Sequence, residues 1–115
     1  LRKRLLNATK ENRDAAENWL NKICLHGAGS DPIPALNRCF DLLNAERGGD
    51  KVIFFLTDGA FPNDDAVRKY IRSRNKAKNV HVFTYLYGEQ DDASAVKLMK
   101  AIADETGGKY KNITE

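Results

Sequence analysis

The sequence predicts an α/β fold: a partial, doubly wound parallel sheet of about three strands flanked by helices. Three observations carry this. Val52-Ile53-Phe54-Phe55-Leu56 is an unbroken apolar run between Lys51 and the turn residues Thr57-Asp58-Gly59. So short a β-branched and aromatic run suits a strand covered on both faces. Two further strand patterns, at 79–87 and 109–113, alternate with helical patterns of 10–15 residues, which implies parallel βαβ units with right-handed crossovers. Finally, Asp58 follows the first strand directly, at the sheet edge where open α/β sheets bind ligands.

The elements follow in order. Residues 1–8 alternate basic and apolar and take no assignment. From Thr9 a helix is expected, capped by Thr9 or Asn7, with Ala15, Ala16, Trp19, Leu20, Ile23 and Cys24 on one stripe. Gly27 and Gly29 end it. Gly27-Ala28-Gly29-Ser30-Asp31-Pro32 turns into a second helix, with Ser30 or Asp31 at the N-cap and Pro32 in the first turn. Its inner face carries Ile33, Leu36, Cys39, Phe40 and Leu43. The apolar strand comes next. Ala60-Phe61-Pro62-Asn63 is a loop, and Asn63 or Asp64 caps a helix to about Arg74 with Ala66, Val67, Tyr70 and Ile71 inward. In the second strand Val80, Val82, Thr84 and Leu86 face one way, and His81, Phe83 and Tyr85 the other. Both faces are largely apolar, so cover on both is expected. After the polar loop Gly88-Glu89-Gln90-Asp91-Asp92, a last helix presents Ala95, Leu98, Met99 and Ile102. Thr106-Gly107-Gly108 ends it, with Gly107 or Gly108 as a left-handed C-cap. The final strand, Lys109-Tyr110-Lys111-Asn112-Ile113, is polar and belongs at an edge.

Composition narrows the function classes. The 115 residues make one domain, and the apolar share of 42% supports a core rather than disorder. The net charge of +3 is small and, apart from Arg2-Lys3-Arg4, the basic residues are scattered, so no nucleic-acid footprint stands out. No run approaches the roughly 18–20 apolar residues of a membrane span, and no signal-peptide pattern opens the chain. Cys24 and Cys39 read as buried thiols, and neither they nor His26 and His81 stand at zinc-ligand spacing.

In a parallel sheet, Asp58 and the Gly88 loop emerge on one rim. The helix after Ser30-Asp31 runs antiparallel to the first strand, so its start lies there too. Ser30, Asp31, Thr57 and Asp58 thus come within reach of one another. Hydroxyl and carboxylate oxygens are hard ligands suited to Mg²⁺ or Mn²⁺. Each residue also has a plainer reading. Ser30 and Asp31 serve as helix caps, Thr57-Asp58-Gly59 as a strand-ending turn, and Asp64 and Asp65 as charges favourable to a helix start.

The apolar strand followed by Thr57-Asp58-Gly59 resembles the last segment of the metal-ion-dependent adhesion site of von Willebrand factor A-type domains. Gly27-Ala28-Gly29-Ser30-Asp31-Pro32 resembles that family's middle segment, with Ser30 in place of the usual threonine. The strand at 80–87 followed by Gly88, and the helix closing on Glu105-Thr106-Gly107-Gly108-Lys109-Tyr110, fit the later parts. The likeness runs from about residue 9 to 113, with bacterial members closest. It implies a Rossmann-like fold in which Ser30 and Asp58 hold the metal, Asp31 and Thr57 support the loop, and Gly29 and Gly59 shape it. The family's first site segment, Asp-x-Ser-x-Ser, has no counterpart here. Residues 1–115 therefore correspond to the back part of such a domain, strands 4-5-6 of the order 3-2-1-4-5-6. The opening on Leu1 rather than Met agrees with that expectation.

From the resemblance the chain is expected to be a protein-binding or adhesion module and not an enzyme, with Mg²⁺ or Mn²⁺ in the intact domain and weak or no binding by this chain alone. The partner would supply an acidic side chain. No nucleic acid and no membrane insertion are expected, and the cell envelope of a bacterium is the suggested setting. The open edge of the first strand is expected to be covered by a second copy or by residues 1–8. Two rival readings remain: a structural α/β module with a non-functional metal site, and a carboxylate-based phosphatase or phosphoacceptor domain. The latter needs further acidic residues and a lysine at later strand ends, where the third strand offers Asn112-Ile113.

Overall fold

A computed structural model describes residues 4–23, 31–59, 61–88 and 93–114. The chain runs α1 (Lys10–Lys22), α2 (Ile33–Asn44), β1 (Lys51–Thr57), α3 (Asp64–Arg74), β2 (Val80–Tyr87), α4 (Ala93–Thr106) and β3 (Tyr110–Ile113). The three strands form one sheet in the order β1-β2-β3, parallel throughout. All seven expected elements are present, with the polar β3 at an edge.

Local chemistry sets the boundaries. Thr9 caps α1 by accepting from the Asn12 amide at 3.2 Å, and Asn63 caps α3 by accepting from the Ala66 amide at 3.0 Å. The α3 helix has Asp64 and Asp65 in its first turn and Arg72 and Arg74 in its last, as the helix dipole favours. At the end of α4, Gly107 takes φ +70°, its amide donates to Asp104 O, and the Gly108 amide donates to Ala103 O at 2.9 Å. That pair of bonds satisfies carbonyls the helix would otherwise leave open.

The core lies on one side of the sheet. Ile53, Val80 and Val82 meet Leu36, Phe40 and Leu43 of α2, Val67 and Ile71 of α3, and Leu98 and Ile102 of α4 in one cluster. Two buried hydroxyls tie α4 to the sheet. Thr84 Oγ1 donates to Met99 O at 2.8 Å, and Thr106 Oγ1 accepts from the Val82 amide at 3.0 Å while donating to Ile102 O at 2.8 Å. The Val82 amide lies below the start of β3, so a side chain supplies the acceptor that a longer strand would have given.

Three expectations are corrected. The apolar run of β1 is not covered on both faces: Ile53 is buried, but Phe54 and Leu56 on the opposite face are 71% and 62% exposed, beside Val52. The described helices that reach the core pack on the Ile53 side. An apolar run reports that a strand suits two covering layers, not that the described residues supply both. The α1 stripe likewise buries no residue, and Trp19 and Leu20 stand 47% and 63% exposed. Nor do residues 4–8 cover the free edge of β1; they form no strand, and Leu5 and Leu6 are exposed. Residues 1–3, Cys24, Gly27, Gly29 and Ser30 lie outside the described residues. Cys39 is a half-buried free thiol whose pKa is raised by burial, which suits packing rather than reactivity. Among the described residues no helix is long and apolar enough to cross a membrane.

An ion-pair group joins α3 to α4. Glu105 accepts from Arg72 Nη2 at 2.6 Å and Nε at 3.1 Å, and also pairs with Arg68. The hydrogen bonds from Arg72, foremost, hold the Glu105 carboxyl below the usual glutamate range. A carboxyl more acidic in the folded than in the unfolded chain stabilises the fold above its unfolded pKa. That contribution is lost as the pH falls through the folded value. Glu105→Gln is therefore expected to lower the melting temperature at neutral pH, with the gap to wild type closing as the solution is acidified below the ordinary glutamate range. Melting curves across that range check this; a gap independent of pH would refute it.

Candidate metal-ion site at the sheet rim

The parallel sheet and the antiparallel run of α2 bring two chain segments to one rim. Asp31 and Pro32, at the start of α2, and Thr57 and Asp58, at the end of β1, line a single hollow of about 460 Å³. Its floor is apolar and includes Leu36, Ile53, Phe55 and Phe61, and it runs along the free edge of β1.

The expected site residues divide as follows. Asp58 is exposed at the mouth. The Thr57 hydroxyl donates to Gly59 O at 3.2 Å and accepts from the Gly59 amide at 3.4 Å, closing a tight turn around Asp58. Asp31 Oδ1 accepts from the Ile33 amide at 3.1 Å, so this carboxylate fastens the first turn of α2. Thr57 thus serves as a turn residue, as its plainer reading has it, whereas the N-cap of α2 is Pro32 without a side-chain cap bond, so Asp31 stands one residue before the cap that was expected of Ser30 or Asp31. Gly59 has no left-handed φ, and a Cβ there would meet nothing within 4 Å. Its smallness leaves open space above the turn rather than avoiding a clash with the chain. The placements of Gly29 and Ser30 lie outside the described residues, although the neighbouring Asp31 stands on the rim.

The donors at the rim are one hydroxyl and two carboxylates, the hard oxygens that Mg²⁺ and Mn²⁺ take. Thr57 and Asp31 each already hold a backbone group, which leaves Asp58 as the described carboxylate best placed to accept an ion. Among the described residues no three His, Cys, Asp or Glu side chains cluster as metal ligands. The donor chemistry therefore fits a hard cation, while the described ligands fall short of an octahedral set.

Sequence reasoning passed over Phe61. The sequence assigns it to a loop, yet its ring is buried and stacked on Phe55 with centroids 5.7 Å apart and planes 5° apart. The available signal was an aromatic side chain between two turn signals, where turn chemistry calls for none.

Comparison with known proteins bears on this arrangement. No curated protein sequence matches the chain. The family model described as von Willebrand factor type A domain matches residues 2–112. That match spans nearly all of the sequence and agrees with the parallel α/β sheet, and the chain belongs to the von Willebrand factor type A domain family, whose members generally mediate protein–protein interactions.

Proposed function

We propose that the chain is a non-catalytic protein-binding module whose contact runs through a divalent cation, Mg²⁺ or Mn²⁺, at the sheet rim. Asp58 and Ser30 are the ligands, and Asp31, Thr57 and the flanking Gly29 and Gly59 support the loops that carry them. When bound, the ion supplies a Lewis-acidic point at which a partner's acidic side chain completes the coordination. This chain's own residues set the position and charge of that point. The Thr57 hydroxyl holds the turn closed on Gly59, so the Asp58 carboxylate projects from a fixed base. The single observation that supports the reading is the meeting of Asp31 with Thr57 and Asp58 on one hollow.

With only two direct ligands the affinity of this chain alone is low, so the test needs a probe sensitive to weak binding. Mn²⁺ broadens nuclear resonances close to it. Saturable broadening at Thr57, Asp58 and Gly59, relieved by Mg²⁺, is expected in the 115-residue chain. Asp58→Asn should weaken it by about tenfold or more, since even supporting partners of a metal ligand cost that much when lost. Absence of broadening, or broadening unchanged by Asp58→Asn, would leave the structural-module reading in its place.

A further inference from the structure

We propose that Phe61 is a positioning residue for the Asp58 carboxylate. Its ring, seated beneath the rim on Phe55, fixes the height and direction of the turn that presents that carboxylate. The inference rests on the reading of Asp58 as an ion ligand and adds to it the group that sets its geometry.

The connection from β1 to α3 is short and held at three places. At its start the Thr57 hydroxyl makes two hydrogen bonds to Gly59. At its end the Asn63 side chain accepts from the Ala66 amide and fixes the first turn of α3. Between them Phe61 is 9% exposed, parallel to Phe55, and part of the same cluster as Leu36 and Ile53. Asp58 and Gly59 follow directly on the Thr57 anchor and stand close in sequence to the Phe61 anchor, and the direction of the Asp58 Cα–Cβ bond follows from where those two anchors sit.

Surface connections usually move more than the elements they join, unless something packs them down. Here the packing is a ring buried two residues beyond Gly59. Its partner, Phe55, lies two residues before Thr57 on β1, on the core face of that strand. The stack thus ties the far side of the turn back to the strand that begins it. Phe61 also shares the floor of the hollow with Leu36 of α2, the helix whose start carries Asp31. The ring's bulk consequently gauges the gap between the Asp31 and Asp58 segments. A smaller side chain would let the turn settle toward α2 and redirect the carboxylate. The Thr57 hydroxyl alone would not resist this, because its bonds lie within the turn and move with it.

The test uses the 115-residue chain with Mn²⁺ alone as the ion. Phe61→Ala is compared with Phe61→Leu, which keeps most of the buried volume, and with Ile71→Ala. Ile71 is buried on α3, away from the hollow's lining, so its variant lowers stability without touching the turn. Two quantities are read below all melting transitions: amide hydrogen exchange at Gly59, and Mn²⁺ broadening at Thr57, Asp58 and Gly59. Phe61→Ala is expected to speed Gly59 exchange by about tenfold and to weaken Mn²⁺ binding by a similar factor, as a locally released segment does. Phe61→Leu should restore most of both. Ile71→Ala should shift the melting temperature and neither of the other readings. Equal effects from Phe61→Ala and Ile71→Ala, or no effect from Phe61→Ala, would overturn the proposal. If the wild-type chain shows no Mn²⁺ broadening, the ion reading fails, and Gly59 exchange alone then decides: acceleration confined to Phe61→Ala supports the positioning role, and its absence overturns it.

Discussion

Gly108→Ala is expected to be among the most damaging single substitutions in this chain. A Cβ at that position would overlap the Val82 carbonyl oxygen, far inside van der Waals contact distance, and stand 3.1 Å from the Phe83 nitrogen. These are backbone atoms of the middle strand, so no side-chain rotation relieves the overlap. The Gly108 amide is meanwhile committed to Ala103 O at the end of α4, and the chain enters β3 two residues later. To make room, the end of α4 and the start of β3 must move away from β2 together. That movement strains the Thr84 amide bond to Lys109 O and the Thr106 hydroxyl bond to the Val82 amide. Overpacking a close contact costs about 1–3 kcal/mol where side chains give way. Where only backbone can give, a loss of about 3 kcal/mol or more is expected. Urea denaturation measures it, and a variant within about 0.5 kcal/mol of wild type would show that the approach is looser than described.

Phe40→Ala ranks beside it for a different reason. Phe40 is fully buried on α2, at the centre of the cluster that joins α2 to the sheet and to α3. Truncation of a buried Phe typically costs about 3–5 kcal/mol through lost transfer energy and the cavity left behind. Two further features put this site toward the upper end. The Arg74 guanidinium lies over the Phe40 ring, 5.7 Å from its centroid. The same arginine donates to Asn37 Oδ1 and Asp41 Oδ1, both at 2.6 Å, and the Tyr70 hydroxyl donates to Asn37 at 2.8 Å. Without the ring this polar group loses the surface it lies on, and α2 and α3 loosen together. Against a total of about 5–15 kcal/mol for a domain, either substitution removes a large share of the stability. Circular dichroism with temperature is the direct check; a Phe40→Ala variant that melts with Phe40→Leu would place the core elsewhere.

The sequence was most legible where one residue type has one structural use. Asn63 or Asp64 before an apolar stripe marked a cap, and Asn63 caps α3. Gly107 or Gly108 after Thr106 marked a left-handed turn, and Gly107 makes it. Alternation through 80–87 separated the buried Val80, Val82, Thr84 and Leu86 from His81, Phe83 and Tyr85, and the burial of β2 follows that alternation. Legibility ended where the answer depends on another layer. The run at 52–56 and the stripe of α1 both show surface suited to burial, but periodicity carries no information on which chain supplies the cover. Phe54, Leu56, Trp19 and Leu20 were accordingly misplaced. The rim was legible as a meeting of segments, because parallel topology alone puts the start of α2 beside the end of β1. Asp31 and Thr57, expected to support the loops rather than to hold the ion, each bond a backbone group there, but spacing alone did not say which group. Phe61 was lost because a lone aromatic in a loop has no period to detect.

The hydroxyls of Thr84 and Thr106 have a consequence for how α4 can move. Thr84 on β2 donates to the Met99 carbonyl of α4, Thr106 on α4 accepts from the Val82 amide of β2, and sliding the helix by one turn would leave the buried Val82 amide without its acceptor. An orphaned group of this kind costs about 1–3 kcal/mol, so axial ratcheting of α4 along the sheet is disfavoured. A displacement of α4 against the sheet is therefore expected to be a tilt rather than an axial slide.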